Sequence, residues 1–123
     1  MASFGERFGL DRETSFRVTG AFGAGMARTG ETCGAVNGAL MVIGLKYAKT
    51  RAGDDDNRER SYALAQDFLE EFRKRNPSIV CRELLGVDVS TPEGMAEVRA
   101  KDLFRTVCPR FVRDSAEILE KIL

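Results

Sequence analysis

A chain of 123 residues, of which 43% are hydrophobic and 31% are charged, has the size and composition of one water-soluble globular domain. Nineteen basic residues balance nineteen acidic ones, so composition provides no general attraction to nucleic acid or to an anionic membrane surface. The chain contains no histidine, which excludes the imidazole general base, the catalytic triads that depend on it and histidine-ligated zinc or haem.

The first predicted helix covers residues 14–27, with Phe16, Val18 and Phe22 available for burial. Three glycines lie within this segment, and each one weakens a helix by about 1 kcal/mol relative to alanine. We therefore expect the helix to depend on packing against the rest of the chain.

The next segment, residues 32–49, is apolar nearly all round, which predicts a central, buried helix. Gly34 and Gly38 lie four positions apart on one side of it, so a second helix can approach closely there. A polar loop at residues 51–57 follows, and its three consecutive aspartates suit the positive N-terminal end of a helix. Residues 58–74 then show the helical spacing of a clear amphipathic helix.

Two shorter helices are predicted after this one. Ser78 can cap the first, which covers Cys81–Leu85 and ends at Gly86. Thr91 is a favourable cap for the second, which we expect to extend over residues 93–104.

The last predicted helix begins at Cys108 and carries one apolar stripe to the end of the chain. The most apolar stretch, residues 39–45, is too short to cross a membrane, and residues 1–12 lack the organisation of a secretion signal. We therefore expect an all-α fold in which residues 1–123 form a single-domain bundle of about five to six helices with a buried central helix. We expect the protein to be cytoplasmic.

The chemically distinctive residues are Cys33, Cys81 and Cys108, each predicted to lie in or near the first turn of a helix. Helix starts favour negative charge, so we expect lowered thiol pKa values and hence nucleophilic, metal-binding or redox cysteines. The alternative is that all three are small hydrophobic core residues, since free cysteine is often buried. No CxxC motif is present, and an odd number of thiols cannot be paired completely within one chain.

The region around the first cysteine matches a known pattern. The stretch GAFGAGMARTGETCGAVNGALMVIG, residues 20–44, resembles the signature of the C_GCAxxG_C_C family of redox-active proteins. Its GCAxxG element corresponds to CGAVNG at residues 33–38, with the first two residues in the opposite order. The family's later single cysteines correspond to Cys81 in IVCRELLG and Cys108 in CPRFVRDSAEILEKIL.

This resemblance implies that Cys33, Cys81 and Cys108 are the catalytic residues of a redox protein or the ligands of a metal centre. Converging thiolates hold iron-sulfur clusters or zinc, whereas two thiols can instead cycle through a disulfide with no cofactor. A cofactor bound beside Cys33 is expected to contact its neighbours in the sequence, namely Arg28, Gly30, Thr32 and Gly34.

The family has four cysteines, and the first precedes a segment similar to FGERFGLDRE at residues 4–13. This chain has none there, so we expect a longer natural product to carry the missing cysteine upstream of Met1.

The stretch GAGMAR at residues 23–28 has two glycines of the GxGxxG dinucleotide fingerprint. Arg28 replaces the third and no strand precedes it, so we favour close packing and a tight turn there.

The second functional hypothesis is a helical interaction or dimerisation module whose cysteines are structural. Its apolar surface is expected at Phe68 and Phe72 and at Phe104 and Phe111. Under the first hypothesis we expect a redox partner protein, and under either one a homodimer. Neither hypothesis involves nucleic acid or a membrane.

Overall fold

The computed structural model describes residues 1–48 and 50–123, and this part of the chain is helical. Its helical segments are α1 (Ala2–Gly5), α2 (Arg12–Val18), α3 (Gly23–Met26), α4 (Gly34–Tyr47), α5 (Asp55–Arg75), α6 (Cys81–Leu85), α7 (Pro92–Ala100), α8 (Leu103–Thr106) and α9 (Cys108–Ile122). No β-strand forms among these residues, so the all-α prediction is confirmed; α2, α4, α5, α7 and α9 are the five segments with seven residues or more. None of the described helices is both long and apolar enough to cross a membrane.

The helix α4 lies at the centre of the fold, packed against both α5 and α9. Val36 and Val42 have no exposed surface, and Ile43 is 1% exposed. The central position follows from a sequence that is apolar on every side, because each side can then be buried against a neighbour. This prediction is confirmed, although its C-terminal limit, Lys49, lies outside the described residues.

Aromatic side chains join α5 to α9. Phe68 and Phe72 are fully buried and stacked, with ring centroids 6.0 Å apart, and the Phe111 ring lies 6.5 Å from that of Phe72. The expectation that these three residues form an interaction surface is therefore wrong, because their helical spacing directs them into the core. Phe104, in contrast, is 36% exposed.

Truncating the centre of this aromatic cluster should strongly destabilise the fold. We expect Phe72→Ala to lower the free energy of unfolding by about 3 to 5 kcal/mol, through lost burial and the cavity left behind. Tyr62→Ala is the matched control, because Tyr62 belongs to the same helix and is 59% exposed. Urea unfolding monitored by circular dichroism measures both variants, and equal losses would contradict this packing.

The predicted helix at residues 14–27 is confirmed over residues 14–18 and wrong beyond them. The helix α2 ends at Val18, and Phe16 and Val18 are 56% and 51% exposed rather than buried. Residues 24–28 then all have positive φ, from 52° to 68°, so most of the short segment α3 belongs to a left-handed turn rather than to a right-handed helix. Two bonds to the Gly25 carbonyl hold it, from the Glu31 N–H at 2.9 Å and from the Thr29 hydroxyl at 2.6 Å.

Side-chain caps fix two helix starts. Asp54 accepts the N–H of Asn57, so α5 begins at Asp55, three residues earlier than predicted. The Thr91 hydroxyl accepts the N–H of Gly94 at 3.0 Å, which confirms the predicted start of α7.

Two further predictions concern where short helices begin and end. The helix expected over residues 93–104 is interrupted, because Asp102 has a φ of 53° and separates α7 from α8. Ser78 accepts the N–H of Val80, ahead of α6, and so orders the approach to this helix without capping it. Gly86, with a φ of 70°, ends α6 as predicted.

Candidate thiol site

All three cysteines lie at helix starts, as predicted. Cys33 immediately precedes α4, Cys81 is the first residue of α6, and Cys108 is the first residue of α9. None of them is in a disulfide. Cys81 is 7% exposed, while Cys33 and Cys108 are partly buried.

A single antiparallel residue pair brings Cys33 and Cys81 together. Thr32 faces Val80 in an isolated bridge. The Cys33 N–H donates to the Ile79 carbonyl at 2.8 Å, and the Cys81 N–H donates to the Glu31 carbonyl at 2.6 Å. The two cysteines therefore flank the bridged pair, and both line the same cavity.

The third cysteine completes one shared cavity. Cys33, Cys81 and Cys108 all line a space of about 170 Å³, together with small and apolar residues: Ala24, Gly25, Gly34, Ala35, Phe104 and Val112. Residues that are far apart in the sequence therefore meet at one place. The sequence did not identify Phe104 and Val112 as walls of this site, since nothing in their spacing signals it.

Two glycines allow the backbone to close around the sulfur atoms. A β-carbon at Gly25 would lie 2.6 Å from the Cβ of Cys81, closer than two carbon atoms can approach. A β-carbon at Gly34 would lie 3.0 Å from the Phe22 carbonyl oxygen. The close approach expected at Gly34 is thus made by a backbone segment rather than by a second helix.

Burial dominates the electrostatics of the thiols. It raises the pKa of Cys33, although the backbone N–H groups of Ala35 and Val36 oppose that rise. Burial and the negative charges of Cys33 and Cys108 raise the pKa of Cys81 to about 11. Burial and the charge of Cys33 also raise the pKa of Cys108. The expected lowering is therefore wrong, because desolvation of the thiolate outweighs the effect of the helix start.

The cysteine-containing sequence matches a known protein family. A family model described as "Putative redox-active protein (C_GCAxxG_C_C)" matches residues 1–122. The chain belongs to this family. No curated protein and no solved structure is significantly similar to it. The resemblance of the cysteine-containing segments to the family is confirmed, and with it the membership of the chain in a family whose description is redox-active.

The raised pKa of Cys81 predicts slow labelling at neutral pH. A shift from 9.0 to about 11 lowers the thiolate fraction near pH 7 roughly 100-fold, and only the thiolate reacts with iodoacetamide. Peptide mass spectrometry should therefore show a Cys81 labelling rate that rises with pH up to about pH 11. The unfolded chain is the control, and a rate in the folded chain that levels off below pH 8 would contradict the assignment.

The residues expected to contact a cofactor occupy different places. Gly34 lines the thiol cavity and Arg28 lines an adjoining one. Gly30 packs beside Arg82, and Thr32 forms the bridge to Val80. Contact between these four residues and a cofactor remains a prediction.

A neighbouring carboxylate is already engaged in an ion pair. The Glu31 carboxylate pairs with the Arg82 guanidinium at 2.9 Å. The positive charge of Arg82, the next residue in the chain, favours the thiolate of Cys81. The Cys81 N–H donates to the backbone carbonyl of Glu31, the residue whose carboxylate pairs with Arg82.

A metal centre needs its ligands at bonding distance. In residues 1–48 and 50–123, no three cysteine, aspartate or glutamate side chains are grouped closely enough to hold a metal ion. The three sulfur atoms share a cavity but are not arranged as ligands, and a four-ligand zinc or iron-sulfur site needs one donor more than they provide.

Proposed function

We propose that this chain is a thiol–disulfide redox protein in which Cys33 and Cys81 form the reversible disulfide. The observation that carries the proposal is the shared cavity lined by all three cysteines. Thiols that serve only as small hydrophobic residues have no need to converge from three separate helix starts, whereas a disulfide requires neighbouring sulfur atoms.

Cys33 is best suited to attack a substrate. It is partly exposed, and the N–H groups of Ala35 and Val36 favour its thiolate. Its charge also raises the pKa values of both Cys81 and Cys108. Cys81 is buried and its pKa is raised to about 11, which suits it to attack the mixed disulfide after Cys33 has reacted.

The reaction proceeds by two exchanges. The Cys33 thiolate attacks one sulfur of a substrate disulfide, forming a mixed disulfide and releasing one substrate thiolate. Cys33 is then uncharged, so one cause of the raised pKa of Cys81 disappears. Cys81 loses its proton to water and attacks the Cys33 sulfur, which expels the second substrate thiolate. The protein loses two electrons, the substrate gains them, and two protons pass through water to the released thiolates.

A disulfide needs Cα atoms about 4.4 to 6.8 Å apart. The hydrogen bonds on either side of the Thr32–Val80 pair hold the backbones of Cys33 and Cys81 next to each other. Cys108 remains a free thiol in the same cavity.

Oxidation followed by disulfide mapping tests this proposal. The chain, purified without oxygen, is treated with hydroxyethyl disulfide, alkylated and digested. We expect a Cys33–Cys81 peptide pair and an alkylated Cys108. Three alkylated cysteines after treatment would overturn the proposal.

The same preparation tests the alternatives. Stoichiometric iron or zinc with loss of free thiols would favour metal ligation, and a visible absorption band would identify an iron-sulfur cluster. A metal-free dimer with three unreactive thiols would favour the interaction module. Val112, 60% exposed at the rim of the cavity, is an apolar contact that a redox partner protein could use.

A further inference from the structure

A second cavity adjoins the thiol cavity. Its volume is about 470 Å³, and it is lined by Gly20, Ala21, Gly23, Ala24, Ala27, Arg28 and Phe104. Ala24 and Phe104 line both spaces. A ligand that lies across these two residues would therefore contact both cavities.

The second cavity is lined by a positively charged side chain, whereas the first is lined by the three cysteines and uncharged residues. Among the described residues that line it, Arg28 is the one charged side chain. Within residues 1–48 and 50–123, no carboxylate lies at ion-pair distance from the Arg28 guanidinium. Arg82, near Cys81, is by contrast already paired with Glu31. Arg28 is thus available to bind an anion from outside the chain.

The backbone places Arg28 at this wall at an energetic cost. Arg28 ends the left-handed turn, with a φ of 65°, and three other non-glycine residues in that turn also have positive φ. This conformation is strained for any residue with a β-carbon, because the β-carbon lies too close to the following carbonyl oxygen. The same turn contributes Ala24 to both cavities, so one strained segment forms the boundary between charge and thiols.

We propose that the second cavity is a subsite for the carboxylate of a small anionic disulfide, whose S–S bond is presented to Cys33 in the first cavity. This inference rests on the proposed function. Guanidinium binds carboxylate through paired, charge-assisted hydrogen bonds, and the apolar wall shared by the cavities suits the short carbon chain between the carboxylate and the sulfur. The small, uncharged lining of the thiol cavity leaves the substrate's charge to be recognised at Arg28.

Exchange rates with three probes of different charge test the subsite. Dithiodipropionate is anionic, hydroxyethyl disulfide is neutral and cystamine is cationic. We expect Arg28→Gln to slow the reaction with dithiodipropionate about tenfold at low salt, to leave the neutral probe unchanged and to accelerate cystamine. Arg28→Lys should retain much of the preference for the anion.

Arg73→Gln is the matched control, because Arg73 is equally an exposed arginine but lines neither of these cavities. It removes the same charge and should change none of the three rates. Equal slowing in both variants would overturn the subsite and assign the effect to net charge.

The outcomes separate the subsite from the thiol chemistry. If all three probes oxidise the chain and Arg28→Gln changes no ratio, the subsite is wrong while the disulfide proposal stands. If no probe oxidises the chain, both fail. Circular dichroism of the Arg28 variants, together with an unchanged rate for the neutral probe, shows that the site is still folded.

Discussion

Replacing Cys33 with serine should abolish formation of the internal disulfide and slow the reaction with small disulfides by about 100-fold or more. The serine hydroxyl is not a nucleophile at neutral pH without an adjacent base, and the chain has no histidine to provide one. Cys33 is also the thiol whose charge acts on both of the others, so its loss removes their common partner. Release of substrate thiol under pseudo-first-order conditions measures the rate.

Cys108→Ser is the matched control, because it removes one thiol from the same cavity without affecting the Thr32–Val80 bridge. We expect this variant to form the Cys33–Cys81 disulfide at a rate within a few-fold of the unmodified chain. The reverse order of effects, with Cys108 essential and Cys33 dispensable, would refute the assignment of roles.

Gly25→Ala should be the substitution that most directly damages the site. The added carbon would lie 2.6 Å from the Cβ of Cys81 and 2.6 Å from the backbone nitrogen of Glu31, and Gly25 has a φ of 67°. The left-handed backbone costs an alanine about 1 kcal/mol and forced displacement of packed atoms about 1 to 3 kcal/mol more. We expect the free energy of unfolding to fall by about 2 to 4 kcal/mol and disulfide formation to slow, because α6 must move away from the turn.

Gly23→Ala provides the control two residues away. A β-carbon there meets no atom within 4 Å, and Gly23 is not among the glycines with positive φ. Urea unfolding and the rate of disulfide formation should both remain close to those of the unmodified chain. If the two alanine variants behave alike, the close contact between Gly25 and Cys81 is not what holds the site together.

The parts of the fold that depend on local pattern could be predicted from the sequence. The amphipathic spacing of α5 and α9 identified both as helices, and Thr91 and Gly86 marked a helix start and a helix end. Each of these signals is contained within a few consecutive residues. The position of all three cysteines at helix starts followed from the same local reasoning.

The convergence of the cysteines could not be predicted, because it depends on long-range contacts. The bridge between Thr32 and Val80 is a single residue pair, too short to produce the alternation that identifies a strand. Phe104 and Val112 gave no local sign that they line a cavity with residues from three other segments. The family resemblance grouped the cysteines, but it carries no distances.

The left-handed turn and the thiol pKa values were mispredicted for related reasons. Ala24 and Arg28 adopt a backbone conformation that neither prefers, so tertiary contacts around Gly25 must impose it. The helix-start argument likewise considers only the local dipole, whereas the pKa of Cys81 is set by burial in the assembled site.

The most direct test of the account is a redox titration of the thiol count. The chain is equilibrated in dithiothreitol buffers of decreasing reducing power, alkylated and weighed by mass spectrometry alongside size-exclusion chromatography. We expect one two-electron transition in which two of the three thiols are lost together and the chain gains no new intermolecular bond. Retention of all three thiols throughout, or a transition that coincides with covalent dimer formation, would contradict it.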